Sequence, residues 1–198
     1  METPSMKNTV IYLIGLPGTG KYTIAKEIER QSGALVIDNH LINNPIFSVI
    51  RADGKTPLPK EIWDYTAAIG DIVREVIVNL APPEESFIFT NALTEEDPLG
   101  LAVYNKVVEV ASLRKSIFAP IRLLCDLPTL QQRIVSKNRT ERLKMTDAKG
   151  IAKLHRDKTI LKSNHPNTMS LDVTNLEATE AAQTILTYVK TLVPAEIE

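Results

Sequence analysis

Short apolar runs and longer runs with helical spacing alternate along the chain. The runs VIYLIG, ALVID, SFIFTN, IRLLCD and TMSLDV are rich in β-branched or aromatic residues, which is typical of buried strands. They lie at residues 10–15, 34–38, 86–91, 121–126 and 168–173. Because these runs are apolar on both faces, the pattern predicts a parallel sheet that is covered by helices on both sides.

Between the strands, apolar residues recur every three or four positions, as they do on one face of a helix. Helices are expected at residues 21–31, 59–80, 97–115, 128–138, 149–162 and 177–193. The segment 51–59 contains proline and glycine and is predicted to be a loop, while the basic segment 136–150 interrupts the alternation. We interpret residues 1–198 as a single α/β domain whose ligands bind beyond the carboxyl ends of the strands.

A glycine-rich turn, GLPGTGKYT, follows the first predicted strand and opens the first predicted helix. Glycine lets backbone N–H groups turn inward around an anion, and the start of a helix adds further free N–H groups. Lys21 supplies a positive charge for the outer phosphates. The alternative is an ordinary turn between a strand and a helix, but the strand before and the helix after favour a phosphate-binding loop of the Walker A type.

The residue after the lysine departs from the usual pattern, because Tyr22 stands where serine or threonine is expected and the threonine follows at Thr23. The stretch resembles the adenylate-kinase type of loop, in which Gly-x-Pro-Gly-x-Gly-Lys precedes glycine and then threonine. The resemblance implies that ATP and Mg²⁺ are the cofactors, that Lys21 stabilises the transferred group and that Thr23 serves the metal. Tyr22 departs from it by replacing the glycine, and we interpret it as a wall residue. It implies nucleotide contacts for Gly15, Leu16, Pro17, Gly18, Thr19, Gly20, Lys21, Tyr22 and Thr23.

Basic residues follow the fourth predicted strand, in the pattern Leu-x-x-Arg-Ile-x-x-Lys-x-Arg at 130–139. This stretch is similar to the one that leads into the lid of nucleoside-monophosphate kinases. The resemblance implies that Arg133 packs on the adenine, that Arg139 acts on the phosphates during catalysis and that 136–150 is the lid. It also places backbone contacts to adenine at Thr174, after the fifth strand. The alternative is a solvated basic helix.

Polar residues end the second predicted strand, where Asp38, Asn39 and His40 follow one another. In shikimate and gluconate kinases, which this chain resembles, an acidic residue here contacts the acceptor or assists its hydroxyl group. Asp38 is therefore a candidate catalytic base or the holder of a metal-bound water, and both Asp38 and Asn39 are candidates for binding the acceptor. The alternative is that Asp38 or Asn39 caps the next helix.

Two further residues are candidates for the acceptor side, which we place at about 39–80. Arg51 follows the short apolar, helix-like run PIFSVI and suits an anionic acceptor, and Asn91 ends the third strand. Arg74 on the long predicted helix is an alternative contact for an anion. Arginines at both positions in the acceptor pocket would favour a nucleoside or nucleotide kinase.

Composition restricts the function further. The formal net charge of -1 gives no case for a nucleic-acid or membrane partner, and one cysteine, Cys125, fits a reducing compartment. The first residues contain no apolar run typical of a secretory signal, so we expect a cytoplasmic protein. The third strand ends in Thr-Asn, without the acidic residues of motor ATPases, and NKVV lacks the aspartate of a GTPase element.

These observations predict a P-loop NTPase kinase-like fold, a three-layer sandwich with a five-stranded parallel sheet in the order 2-3-1-4-5 by analogy. The predicted activity is transfer of the γ-phosphoryl group of ATP to a small-molecule acceptor. Nucleoside or nucleotide kinase activity is one alternative, and a nucleotide-binding sensor without turnover, consistent with Tyr22, is another. The acceptor and the oligomeric state are left open.

Overall fold

The strands form one parallel sheet in the predicted order. The computed structural model describes residues 6–192, with every side chain in that range except that of Asn138. The strands are β1 (Thr9–Ile14), β2 (Leu35–Asp38), β3 (Phe87–Asn91), β4 (Ile117–Leu124) and β5 (Met169–Asp172). They pair in parallel in the order β2-β3-β1-β4-β5, which confirms the predicted sheet and its order.

Helices cover both faces of the sheet. They are α1 (Lys21–Ser32), α2 (Asn39–Val49), α3 (Ile62–Asn79), α4 (Pro98–Leu113), α5 (Leu127–Ile134), α6 (Lys137–Glu141), α7 (Ala148–Asp157) and α8 (Ala178–Val189). Within residues 6–192, no helix has the length and apolar character needed to cross a bilayer. Residue 193, the last of the predicted final helix, lies outside the described range.

The central strand β1 shows why the strands read as continuous apolar runs. Ile11 and Leu13 pack on one face of the sheet against α1, α5, α7 and α8, while Val10, Tyr12 and Ile14 pack on the other face against α3 and α4. All five side chains are fully buried. Each fully buried aliphatic side chain contributes roughly 1.5–3 kcal/mol, so two buried faces fix β1 at the centre of the sheet.

The fourth strand starts earlier than predicted, at Ile117 rather than residue 121. Pro120 lies inside β4, although proline normally removes a ladder hydrogen bond. The N–H group of Ile117 donates to the carbonyl group of Asn8, so alternate residues of β4 face β1 and Pro120 faces away from it. On that other side, β5 pairs only from Ile121 onward, and the missing N–H group therefore interrupts no ladder bond.

Three helical predictions also need correction. The helix expected at 128–138 is divided into α5 and α6, and the one expected at 149–162 ends at Asp157. It ends there because the next residues pair with the segment after β3, where Glu95 donates from its N–H group to the carbonyl group of Thr159. The helix-like run at 45–50 belongs to a longer helix, α2, which begins directly after β2 and ends at Val49, with Ile50 as its C-cap residue.

Candidate active site

A cavity of about 500 Å³ opens at the carboxyl edge of the sheet, where ligands of open α/β sheets bind. Its walls come from the turn between β1 and α1, the start of α2, the start of α8 and the segment 136–150, which is predicted to be a lid and is called the lid segment below. This volume suits a cofactor-sized ligand.

The glycine-rich turn forms one wall of this cavity. Gly18 and Gly20 have φ angles of 96° and 87°, a left-handed conformation that glycine adopts without a steric penalty. Thr19 is buried, and its hydroxyl group donates to the carbonyl oxygen of Leu16 over 3.0 Å. Helix α1 begins at Lys21 without a side-chain cap, so the N–H groups of its first turn are available to an anion.

The ammonium group of Lys21 folds back across the turn. Its Nζ atom donates to the carbonyl oxygens of Gly15 and Leu16 over 2.7 and 2.9 Å. Burial, followed by the positive charges of Arg139 and Lys144, lowers the pKa of Lys21 from its ordinary 10.5 to about 7. An anion placed in this turn would reverse that effect, because it would pair with the ammonium group.

The residues at the start of α1 fit a bound Mg²⁺. Thr23 is exposed and lines the cavity one residue after Tyr22. In the described part of the chain, no group of three or more histidine, cysteine, aspartate or glutamate residues could hold a metal ion. Mg²⁺ at nucleotide sites takes few protein oxygens and completes its shell with phosphates and water. The single hydroxyl group of Thr23 is a suitable ligand in such a shell.

Two predicted arginines line the cavity, Arg133 just before the predicted lid 136–150 and Arg139 within it. Arg133 on α5 donates from Nη2 to the carbonyl oxygens of Val173 and Thr174, each over 3.2 Å, at the end of β5. Arg139 on α6 donates from Nε to the carbonyl oxygen of Met145 over 2.9 Å. Each guanidinium group is therefore oriented by backbone carbonyl groups and retains further N–H donors for a ligand.

A buried ion cluster lies on the other side of the cavity, around Asp38 at the end of β2. The carboxylate is 1% exposed, and its Oδ1 atom accepts a 2.6 Å hydrogen bond from the hydroxyl group of Thr90. Its Oδ2 atom lies 3.2 Å from Lys144 Nζ and 3.5 Å from Arg142 Nη2. Asp38 is also the N-cap residue of α2, but its side chain caps no N–H group.

Tyr22 packs against the same two cations. The guanidinium carbon of Arg142 lies 3.5 Å from the centre of the Tyr22 ring, and Lys144 Nζ lies 4.7 Å from it. Both distances are within the range of cation–π attraction. The tyrosine after the loop lysine therefore contacts the lid segment.

Most of the residues predicted from the sequence lie on the cavity. They are Pro17, Gly18, Thr19, Gly20, Lys21, Tyr22, Thr23, Asp38, Asn39, Arg133 and Arg139. Gly15 and Leu16 lie beneath the turn and supply the carbonyl groups that hold Lys21.

Three predicted residues lie off the cavity wall. The hydroxyl group of Thr174 accepts from the backbone N–H group of Asp126. Arg51 is exposed after the end of α2, and the side-chain oxygen of Asn91 accepts from the hydroxyl group of Tyr12 over 3.0 Å. Their roles in binding stay predictions.

Several lining residues were not among the predicted site residues. They are Ile24, His40, Ala92, Ser136, Lys144, Met145, Val173, Leu176, Glu177 and Ala178. The last four could have been found from the sequence, because they follow the end of β5 at the carboxyl edge. Lys144 had no comparable local signal, since its partners are distant in the chain.

Comparison with known proteins supports the fold and leaves the substrate open. No protein-family model matches the sequence, and a search of curated proteins finds no match. Solved structures do match. A gluconokinase from Sinorhizobium meliloti 1021 is 18% identical, with a TM-score of 0.62 and 93% of each chain covered.

Two further matching structures are of complexes with ligands. An APS kinase from Mycobacterium tuberculosis, in complex with AMPPNP and APS, has a TM-score of 0.56 and 16% identity, covering 94% of this chain and 99% of the other. A shikimate kinase from Acinetobacter baumannii, in complex with shikimate, has a TM-score of 0.51 and 17% identity, covering 92% and 93%. The sheet order, the loop and these likenesses together show that the chain has the fold of the P-loop kinases.

Proposed function

We propose that the protein is an ATP-dependent phosphotransferase that moves the γ-phosphoryl group of ATP to a small hydroxyl-bearing acceptor. One observation carries the proposal: an uncapped helix start, the Lys21 ammonium group and the Arg139 guanidinium group face one cavity. Phosphoryl transfer depends mainly on positioning and on neutralising charge around the moving group. These three features supply positive charge where that group would lie.

On the nucleotide side, the turn Gly15–Thr23 would cradle the β-phosphate region, and Thr23 would hold Mg²⁺, which would shield the charge of the phosphates. Lys21 leaves the loop carbonyl groups to contact the transferred group, and Arg139 contacts it from the lid segment. Arg133 reaches the carbonyl groups after the end of β5 from α5, and it would border the adenine, as the resemblance to nucleoside-monophosphate kinases implies.

On the acceptor side, Asp38 and Asn39 lie on the cavity at the end of β2. Both oxygens of Asp38 already accept from protein donors. We therefore assign the Asp38 carboxylate to holding Lys144 and Arg142 in place rather than to taking a proton. The acceptor meets these cations and the polar start of α2.

The nucleotide-kinase alternative gains no support from the two arginines that would have favoured it. Arg51 is exposed, and Arg74 forms an ion pair with Asp71 on its own helix, in a groove between α3 and α4. Whether the acceptor is a nucleotide or another small molecule must therefore be determined by experiment.

The test combines binding with turnover. ATP and Mg²⁺ should raise the melting temperature of the wild type, and the Lys21→Ala variant should lose that rise, whereas Lys26→Ala, an exposed lysine on the same helix, should keep it. ATP consumption is then measured with D-gluconate, shikimate, thymidylate and APS. An unchanged response of Lys21→Ala would refute the nucleotide site. Binding without consumption across a broader set of acceptors would favour the sensor.

A further inference from the structure

His40 lies in the first turn of α2, two residues after Asp38, and lines the acceptor side of the cavity. Its ring packs edge-on against Phe47, with 6.1 Å between ring centres. Its Nδ1 atom lies 3.2 Å from the side-chain oxygen of Asn44, one helical turn further on. The imidazole is therefore held from behind, on the side away from an incoming ligand.

The hydrogen bonds around Asn44 determine which nitrogen of His40 carries the proton. The amide nitrogen of Asn44 donates to the carbonyl oxygen of Arg142 over 3.3 Å, so the amide oxygen faces the histidine. An oxygen can only accept, so Nδ1 must be the donor. In a neutral imidazole the other nitrogen, Nε2, then has a free lone pair.

The surroundings keep this imidazole neutral. Burial, and next the positive charge of Lys144, lower the pKa of His40 to about 4, while Asp38 and the hydrogen bond to Asn44 act in the opposite direction and Arg139 adds a further lowering. The ring is therefore uncharged at physiological pH, and Nε2 is free to accept.

Among the residues that the structure describes, Nε2 of His40 has no hydrogen-bond partner, whereas both oxygens of Asp38 do. We propose that Nε2 of His40 accepts the hydrogen bond of the acceptor's hydroxyl group and takes its proton during transfer. Asn44 is the positioning residue that fixes the tautomer. This inference rests on the proposed function and names the group that receives the acceptor.

Transfer exchanges one bond to the γ-phosphorus for another and moves one proton to His40. The acceptor oxygen forms a bond to the γ-phosphorus, the bond from that phosphorus to the bridging oxygen breaks, and ADP leaves with the electron pair. The hydroxyl proton moves to Nε2 and is released to solvent after the product departs. In a loose transition state this proton leaves late, so a weakly basic imidazole is sufficient.

The same contacts link the base to the lid segment. Arg142, whose carbonyl group orients Asn44, directly follows α6 and also pairs with Asp38. The tautomer of His40 is thus fixed where the lid segment lies against α2. The free lone pair on Nε2 of His40 and the positive charges of Arg142 and Lys144 therefore depend on the same position of the lid segment.

The first test is nitrogen NMR of the histidine side chains. His40 should show the Nδ1–H tautomer between about pH 6 and 8. His165 is an internal standard for the opposite tautomer, because its Nδ1 atom accepts from the backbone N–H group of Asn167 over 3.2 Å. Asn44→Leu should abolish the preference at His40, and Asn44→Asp, which retains an acceptor oxygen, should preserve the proton on Nδ1. An Nε2–H tautomer or a charged ring in the wild type would overturn the proposal, whether or not any acceptor turns over.

The second test uses whichever of D-gluconate, shikimate, thymidylate and APS is phosphorylated. His40→Asn keeps a polar group near Nδ1 but has nothing at the Nε2 position, and its kcat should fall about 100-fold with little change in ATP affinity. His40→Gln places an amide oxygen near Nε2 and should recover part of the rate. The matched control is His155→Gln, at an exposed position on α7, and it should behave as the wild type. Equal rates for His40→Asn and the wild type would overturn the proposal.

Discussion

The charge state of Lys21 should couple ATP binding to proton uptake. In the free protein its pKa is about 7, because the ammonium group is buried beside Arg139 and Lys144. Phosphates in the turn favour the charged form and return the pKa towards its ordinary value. At a pH between the pKa of Lys21 in the free protein and its pKa in the ATP complex, Lys21 is largely deprotonated before binding and protonated afterwards. Binding must therefore take up a proton, and the affinity must fall as the pH rises.

The size of the effect follows from the protonated fraction. With a pKa of about 7, about half of the free protein carries the proton at pH 7 and about one tenth at pH 8. The affinity for ATP should therefore fall about fivefold over this unit, with an uptake of about 0.9 proton per ATP at pH 8. The phosphates themselves add little, since a phosphate monoester has its second pKa near 6 and is largely ionised in this range.

Isothermal titration calorimetry measures this uptake directly. The binding enthalpy at pH 8 is compared in buffers with different enthalpies of ionisation, and the slope gives the number of protons. The matched control is Lys21→Arg, which keeps a positive charge but does not titrate in this range. Its slope should be near zero and its affinity independent of pH, although weaker. A wild-type slope near zero, or equal slopes in the two proteins, would show that Lys21 is already fully charged before ATP binds.

Two further substitution pairs test the lid contact and the metal ligand. In Gly54→Ala, at φ 72°, the new Cβ would overlap the carbonyl oxygen of Lys144, so urea denaturation should show that the free energy of unfolding falls by about 3 kcal/mol or more. In Gly33→Ala, at φ 77° with no atom within 4 Å of the new Cβ, the free energy of unfolding should fall by only about 1 kcal/mol. Equal losses in the two variants would refute a tight contact between the turn at Gly54 and the lid segment. Thr23→Val should weaken ATP binding about tenfold in Mg²⁺ and leave it unchanged in EDTA, because a methyl group cannot bind the metal. Tyr22→Phe should leave both affinities unchanged, and a loss in Mg²⁺ alone would place the phenol oxygen on the metal.

Local patterns were sufficient to predict the sheet and the position of the glycine-rich turn at the start of α1. A strand buried on two faces and a glycine-rich turn at a helix start are specified by neighbouring residues, so their positions can be read along the chain. The early start of β4 was missed. Whether Pro120 fits inside a strand depends on which neighbouring strand its nitrogen faces, and pairing partners are not visible in a single sequence. The end of α7 depends in the same way on pairing with the segment after β3.

The acceptor side was less accessible to sequence reasoning for a related reason. Arg142 and Lys144 were basic residues in a basic segment, and such residues are usually solvated. Their burial beside Asp38 arises from contacts across about a hundred positions of the chain. His40 was visible as a residue next to Asp38, but its tautomer depends on an amide whose orientation is set by the carbonyl group of Arg142.

Tyr22 connects these two parts of the site. Successive residues of a helix point about 100° apart, so a single turn of α1 can direct Tyr22 towards the lid cations and Thr23 towards the phosphates. A threonine at position 22 would offer no ring to Arg142 and Lys144, and these cations would lose a partner beside Asp38. Thr23 still presents its own hydroxyl-bearing side chain at the cavity wall. Tyr22 therefore joins the glycine-rich turn to Arg142 and Lys144, while the role in Mg²⁺ binding that we propose for Thr23 is left in place.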